Sequence, residues 1–137
     1  RKRGVQFDLS HGNGNFSFEV AQKALAQGFM LDAISTDLHK GSLSRVQSLG
    51  MVMSKMLACG MELWDVLELV TIKAAQMLGL PKETMEIKTG KPADLALFSI
   101  EKGSFRFLDS DGMEKEGEIL IRPRGAVLGG KMELNMD

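Results

Sequence analysis

Polar and apolar residues alternate at the start of the chain, with Val5, Phe7 and Leu9 interleaved with Gln6, Asp8 and Ser10. That period of two predicts a strand over Val5–Leu9. The run ends in the glycine-spaced loop His11-Gly12-Asn13-Gly14-Asn15. The spacing then lengthens: Phe16, Val20, Ala21, Ala24 and Leu25 form the stripe of a helix, with Asn15 or Ser17 placed to cap its first turn and Gly28 beyond its last. A β-rich run, Leu31 to Leu38, follows and closes on Asp37-Leu38-His39. Strand, helix and strand in this order predict a βαβ unit. Its strands should be parallel and its crossover right-handed, which brings loops 11–15 and 37–42 together at the C-terminal edge of the sheet.

Further on, Val46, Leu49, Val52, Met53, Met56 and Leu57 predict a helix that closes at Gly60. Leu63, Val66, Leu67, Val70, Ala74 and Leu78 predict a second, from Glu62 to Leu78, stopped by Gly79 and Pro81. These two should pack as a hairpin. Short strand signals then take over, at Met85–Ile87, Leu95–Phe98, Ser104–Leu108, Glu118–Ile121 and Ala126–Leu134. Turns are marked at Thr89-Gly90, Lys102-Gly103, Asp111-Gly112 and Gly129-Gly130. The change of pattern divides the chain into residues 1–80, βα in kind, and residues 81–137, all β.

Length bounds the architecture. At 137 residues the chain is too short for a complete (β/α)8 barrel, which needs about 200, so a barrel pattern in it is part of one. The charges, 17 Lys+Arg against 18 Asp+Glu, balance almost fully, which argues against nucleic acid as a partner. No apolar run approaches the ~18 residues of a membrane helix, so no membrane segment is expected. The single cysteine, Cys59, cannot form an internal disulfide and lies among apolar neighbours. It reads as inert core in a reducing, cytoplasmic setting.

Asp37 is the first candidate for chemistry, because a carboxylate at the C-terminal end of a parallel strand faces the crevice where α/β proteins hold ligands. A loop cap is the plainer role. The two histidines, His11 and His39, fall on the same predicted edge and with Asp37 could hold a metal or shuttle a proton; each could equally be an ordinary polar loop residue. Gly12-Asn13-Gly14 at a helix start invites a phosphate, yet lacks the third glycine of the dinucleotide fingerprint and the Gly-Lys-Ser/Thr of a P-loop. A tight βα turn accounts for it. The ten methionines sit mostly at helical core spacing and read as filling.

The segments Phe7-Asp8-Leu9-Ser10-His11-Gly12, Ser17-Phe18 and Ile34-Ser35-Thr36-Asp37-Leu38-His39 resemble the amidohydrolase superfamily, in its dihydroorotase-like deacetylase branch. The resemblance continues through Met53-Ser54-Lys55-Met56-Leu57, Gly60-Met61-Glu62-Leu63, Thr71-Ile72, Gly90-Lys91-Pro92-Ala93-Asp94-Leu95 and Gly129-Gly130-Lys131. One departure is Lys73-Ala74-Ala75, where the family commonly has Asn-Pro-Ala. The resemblance implies an α/β C-terminal portion: the last two strands and helices of a TIM-like barrel, then part of an appended β-sandwich. It implies a hydrolase dependent on zinc, or another divalent metal, that opens a small amide, cyclic amide or ester with metal-activated water. Asp37 would touch the metal and act as the catalytic base, and His11, Gly12 and His39 would line the substrate side. The family's remaining ligands, a His-x-His pair, a carboxylated lysine or acidic equivalent and two further histidines, have no match here. The chain alone is therefore expected to bind zinc weakly at best and to be inactive. Open barrel edges imply a homo-oligomer. Two other readings stand beside this one, a non-catalytic binding module from a truncated or split gene and a small phosphate-binding α/β domain.

Overall fold

The computed structural model describes residues 2–81 and 85–134. Strand β1 (Asp8–Ser10) and strand β2 (Ala33–Ser35) pair in parallel, Asp8 opposite Ala33 and Ser10 opposite Ser35, with helix α1 (Phe18–Ala26) as the crossover. This is the predicted βαβ unit with shorter strands. The ladder stops at Phe7 because the Asp32 side chain takes its N–H, at 2.9 Å. Ile34 points to the core, whereas Asp8 and Ser35 lie on the opposite face and share a hydrogen bond of 2.5 Å, the serine hydroxyl donating.

The predicted helix from Val46 is two helices, α2 (Leu43–Val46) and α3 (Leu49–Ala58), separated by Gln47 in the left-handed region at φ 58°. Ser48 starts α3 by accepting a hydrogen bond from the Met51 N–H at 3.1 Å. The expected helix over 62–78 also breaks, into α4 (Leu63–Val70) and α5 (Ile72–Met77). The break is at Thr71, whose hydroxyl donates to the Leu67 carbonyl at 2.6 Å while its own backbone leaves helical angles, φ -127° and ψ -92°. Such back-bonding by a β-branched hydroxyl competes with the helix it sits in.

The predicted strands Leu95–Phe98 and Ser104–Leu108 merge into β3 (Leu95–Leu108), Glu118–Ile121 lies within the longer β4 (Glu114–Leu128), and the predicted Ala126–Leu134 divides between the end of β4 and β5 (Lys131–Leu134). Together they form an antiparallel sheet in the order β3-β4-β5. Lys102-Gly103 is not a turn but an irregularity in register, with Lys102 opposite Ile119 and Phe105 opposite Gly117. A second register shift lets Pro123 sit inside β4. The turns at Asp111-Gly112 and Gly129-Gly130 are where the spacing predicts them. Met85–Ile87 are in no strand.

One face of this sheet lies on α3. Ser54 accepts from the Ile121 N–H at 2.8 Å and donates to the Gly50 carbonyl at 2.7 Å, and a Cβ on Gly50 would come within 2.5 Å of the Ile121 oxygen. Phe16, Ile34, Met56 and Val66 are buried in one cluster with Phe107, Leu120 and Ile121. The core thus runs across residue 80, because a lone sheet cannot bury its apolar face on itself.

Candidate active edge

Loops 11–15 and 36–42 meet at the C-terminal edge of β1 and β2, joined by a backbone hydrogen bond from Gly12 N–H to the Thr36 oxygen at 3.0 Å. Asp37 is exposed and holds a left-handed backbone, φ 47°. Its carboxylate rests on Gly12, itself at φ 49°, where a Cβ would run into Asp37 Oδ2. Asn15 Nδ2 donates to the same Oδ2 at 3.3 Å. His39 is exposed beside it, Nδ1 2.9 Å from the Asp37 carbonyl oxygen and 3.1 Å from Ser42 Oγ. Ser42 is fully buried and ties this loop together, accepting from the His39 N–H at 3.0 Å and lying 3.0 Å from the Asp37 carbonyl. Asp37, Gly12 and His39 are therefore brought to one place.

His11 stands behind them with no exposed surface. Its ring stacks on Phe16, centroids 4.9 Å apart, and its Nε2 lies 2.7 Å from Lys55 Nζ. Nδ1 is 3.0 Å from the Gly12 oxygen; a carbonyl only accepts, so Nδ1 carries the proton and Nε2 accepts from the ammonium. Burial lowers the His11 pKa, and the nearby Lys55 charge acts the same way, against the hydrogen bond to Gly12. Lys55, 1% exposed, also donates to the Arg45 oxygen at 2.8 Å. Desolvation brings its pKa down to about 8, with Asp109 opposing and Arg45 adding to the fall.

The β3–β4 turn closes the edge from beneath. Buried Asp109 accepts from the N–H groups of Phe18 at 3.1 Å, Asp111 at 3.0 Å and Met113 at 2.8 Å. It thereby supplies the cap of α1; Ser17 makes no side-chain cap bond. Ser110 Oγ accepts from the Phe16 N–H at 3.1 Å, and Arg45 donates to the Ser110 oxygen. A carboxylate thus already occupies the start of α1, the place where the phosphate reading would seat its anion.

Lys55 and Asp109 escape a reading of periodicity. The available signal is that Lys55 sits three residues after Val52 and four before Cys59, on the buried stripe of α3. Nothing in the local sequence marks Asp109 as a cap for a helix ninety residues earlier. Among the described residues, no group of three His, Cys, Asp or Glu side chains could hold a metal ion.

Residues 17–119 match the model of the amidohydrolase family. The chain is similar to a deacetylase of Agrobacterium fabrum, 36% identical over 129 residues that make up 93% of this chain and 31% of that protein. Among solved structures it resembles an adenine deaminase, with TM-score 0.87 and 31% identity over 98% of this chain and 37% of that one. It also resembles a dihydroorotase, with TM-score 0.88 and 34% identity over 97% and 36%. The chain spans about a third of the length of these relatives.

Proposed function

Because the chain belongs to the amidohydrolase family, we propose that it forms the closing portion of a TIM-like barrel hydrolase that opens a C–N or ester bond next to a carbonyl. In this reading β1 and β2 are the last two barrel strands, and the β3–β5 sheet is part of the appended β-sandwich. The observation that carries the reading is the Asp37 carboxylate, exposed at the C-terminal edge and seated on Gly12. There it accepts a proton from the water that adds to the carbonyl carbon, and it returns that proton to the departing nitrogen or oxygen as the bond breaks. His39 and Gly12 line the substrate side, with His11 supporting Gly12 from behind. We place the protein in the cytoplasm, where the buried Cys59 thiol stays reduced.

This family generally uses a divalent metal, and the donor set described here does not fit one. Asp37 offers a single carboxylate, His11 Nε2 faces Lys55, and among the described residues no third His, Cys, Asp or Glu joins Asp37 and His39 in a group that could hold a metal. Zinc would need ligands from outside the described residues, and no step is assigned to it.

The test is a chimaera in which this chain replaces the matching third of the Agrobacterium deacetylase, assayed on an acetylated substrate. Turnover is expected there and not in the 137-residue chain alone. Asp37→Asn should lower kcat in the chimaera by at least about 10²-fold with an unchanged circular dichroism spectrum. Near wild-type turnover would remove Asp37 from the mechanism, and a folded chimaera without turnover would favour the non-catalytic binding module.

A further inference from the structure

A line of contacts runs from the interior of α3 to the Asp37 carboxylate. Lys55 Nζ meets His11 Nε2 at 2.7 Å, the other ring nitrogen of His11 meets the Gly12 oxygen at 3.0 Å, and Gly12 is the surface on which the carboxylate rests. Each link is specific. The Gly12 carbonyl selects the His11 tautomer, and that tautomer leaves Nε2 able to accept only from a donor such as an ammonium. A positive φ and the absence of a Cβ let Gly12 approach the carboxylate.

Packing alone does not call for a lysine here. An ammonium buried against a neutral imidazole and a carbonyl carries a desolvation cost that a methionine of similar volume would avoid. The titratable and charged groups facing Lys55 come from three elements: the neutral His11 ring from the β1–α1 loop, Arg45 from α2 and Asp109 from the β3–β4 turn.

We propose that Lys55 is a positioning residue for Asp37, acting through His11 to set the turn at Gly12 that supports the carboxylate. The proposal rests on the hydrolase reading for what Asp37 does to a substrate; the contact line itself does not.

The test begins with NMR on the 15N-labelled chain. The wild-type His11 ring should be neutral and protonated at Nδ1. Lys55→Met should shift the His11 Nε2 signal and displace the backbone amide signals of Gly12 and Asp37 and the side-chain amide signal of Asn15, with Gly117 in the sheet unmoved. A folded Lys55→Met chain whose Gly12 and Asp37 signals stay in place overturns the proposal. Should that variant not fold, the wild-type chain is titrated through pH 8: Gly12 and Asp37 amides that follow the Lys55 midpoint support the proposal, and amides that ignore it overturn it. In the chimaera, Lys55→Met should lower kcat by about 10- to 100-fold with KM unchanged. An inactive wild-type chimaera whose loop signals still depend on Lys55 would end the hydrolase reading alone. An active chimaera indifferent to Lys55→Met, with loop signals unmoved, would end the positioning role alone.

Discussion

Burial holds Lys55 and His11 toward their uncharged forms, Lys55 at about 8 against an ordinary 10.5 and His11 below 6.5. Between pH 8 and 10.5 Lys55 holds more proton in the unfolded chain than in the folded one, so its contribution makes stability rise with pH. From pH 9.0 upward the buried Cys59 thiol, pushed up to about 11, works the other way and offsets part of that rise. The Lys55 contribution is at most about 3 kcal/mol. His11 works in the same direction at lower pH, where stability is lost as pH falls below 6.5 toward its depressed folded value. The urea midpoint should therefore be higher at pH 9.5 than at pH 7.5, and Lys55→Met should flatten that rise. A wild-type midpoint that falls over this range would contradict a buried, destabilised ammonium. The position of Lys55 on the α3 stripe is visible in the order of residues, but its partners are not: His11 and Asp109 lie 44 and 54 residues away.

At the scale of elements, α3 lies directly against the backbone of β4. Gly50 faces the Ile121 carbonyl, and Ser54 holds the neighbouring N–H. The Gly50 position admits no side chain unless the helix moves outward. Gly50→Ala should cost about 1–3 kcal/mol, measured as a lowered urea midpoint; an unchanged midpoint would show that α3 and β4 slide freely. The same scale explains the elements whose predicted bounds differ. Thr71 breaks a helix whose apolar stripe is continuous, because its hydroxyl takes the Leu67 carbonyl. Lys102-Gly103 has turn composition yet stays within the β3 strand, because the long pairing with β4 tolerates a bulge more readily than a second reversal.

For the whole molecule, the consequence is an open parallel pair. β1 and β2 pair only with each other among the described residues, and an apolar groove of about 380 Å³ lies between β1 and α1, lined by Phe7, Leu9, Val20, Leu25 and Phe29. Unpaired strand edges beside apolar surface favour association. The separate chain should therefore form a dimer or larger oligomer at micromolar concentration, burying more than the ~1,200 Å² of a minimal specific interface. Light scattering that returns a single 15.0 kDa species would show that the groove and the edges are satisfied within one chain.

By itself, the order of residues determined the βαβ unit, the hairpin turns at Asp111-Gly112 and Gly129-Gly130, the family motifs and the meeting of Asp37, Gly12 and His39 at one edge. These follow from local periodicity, turn chemistry and the handedness of parallel connections, all of which act over short stretches of chain. Only the tertiary structure decided that His11 is buried, that Lys55 is its partner, that Asp109 caps α1 and that one core spans both halves. Those outcomes depend on which distant groups meet once water is excluded. A buried N–H, ring nitrogen or ammonium must then take whatever partner the packing brings, and no local pattern names that partner in advance.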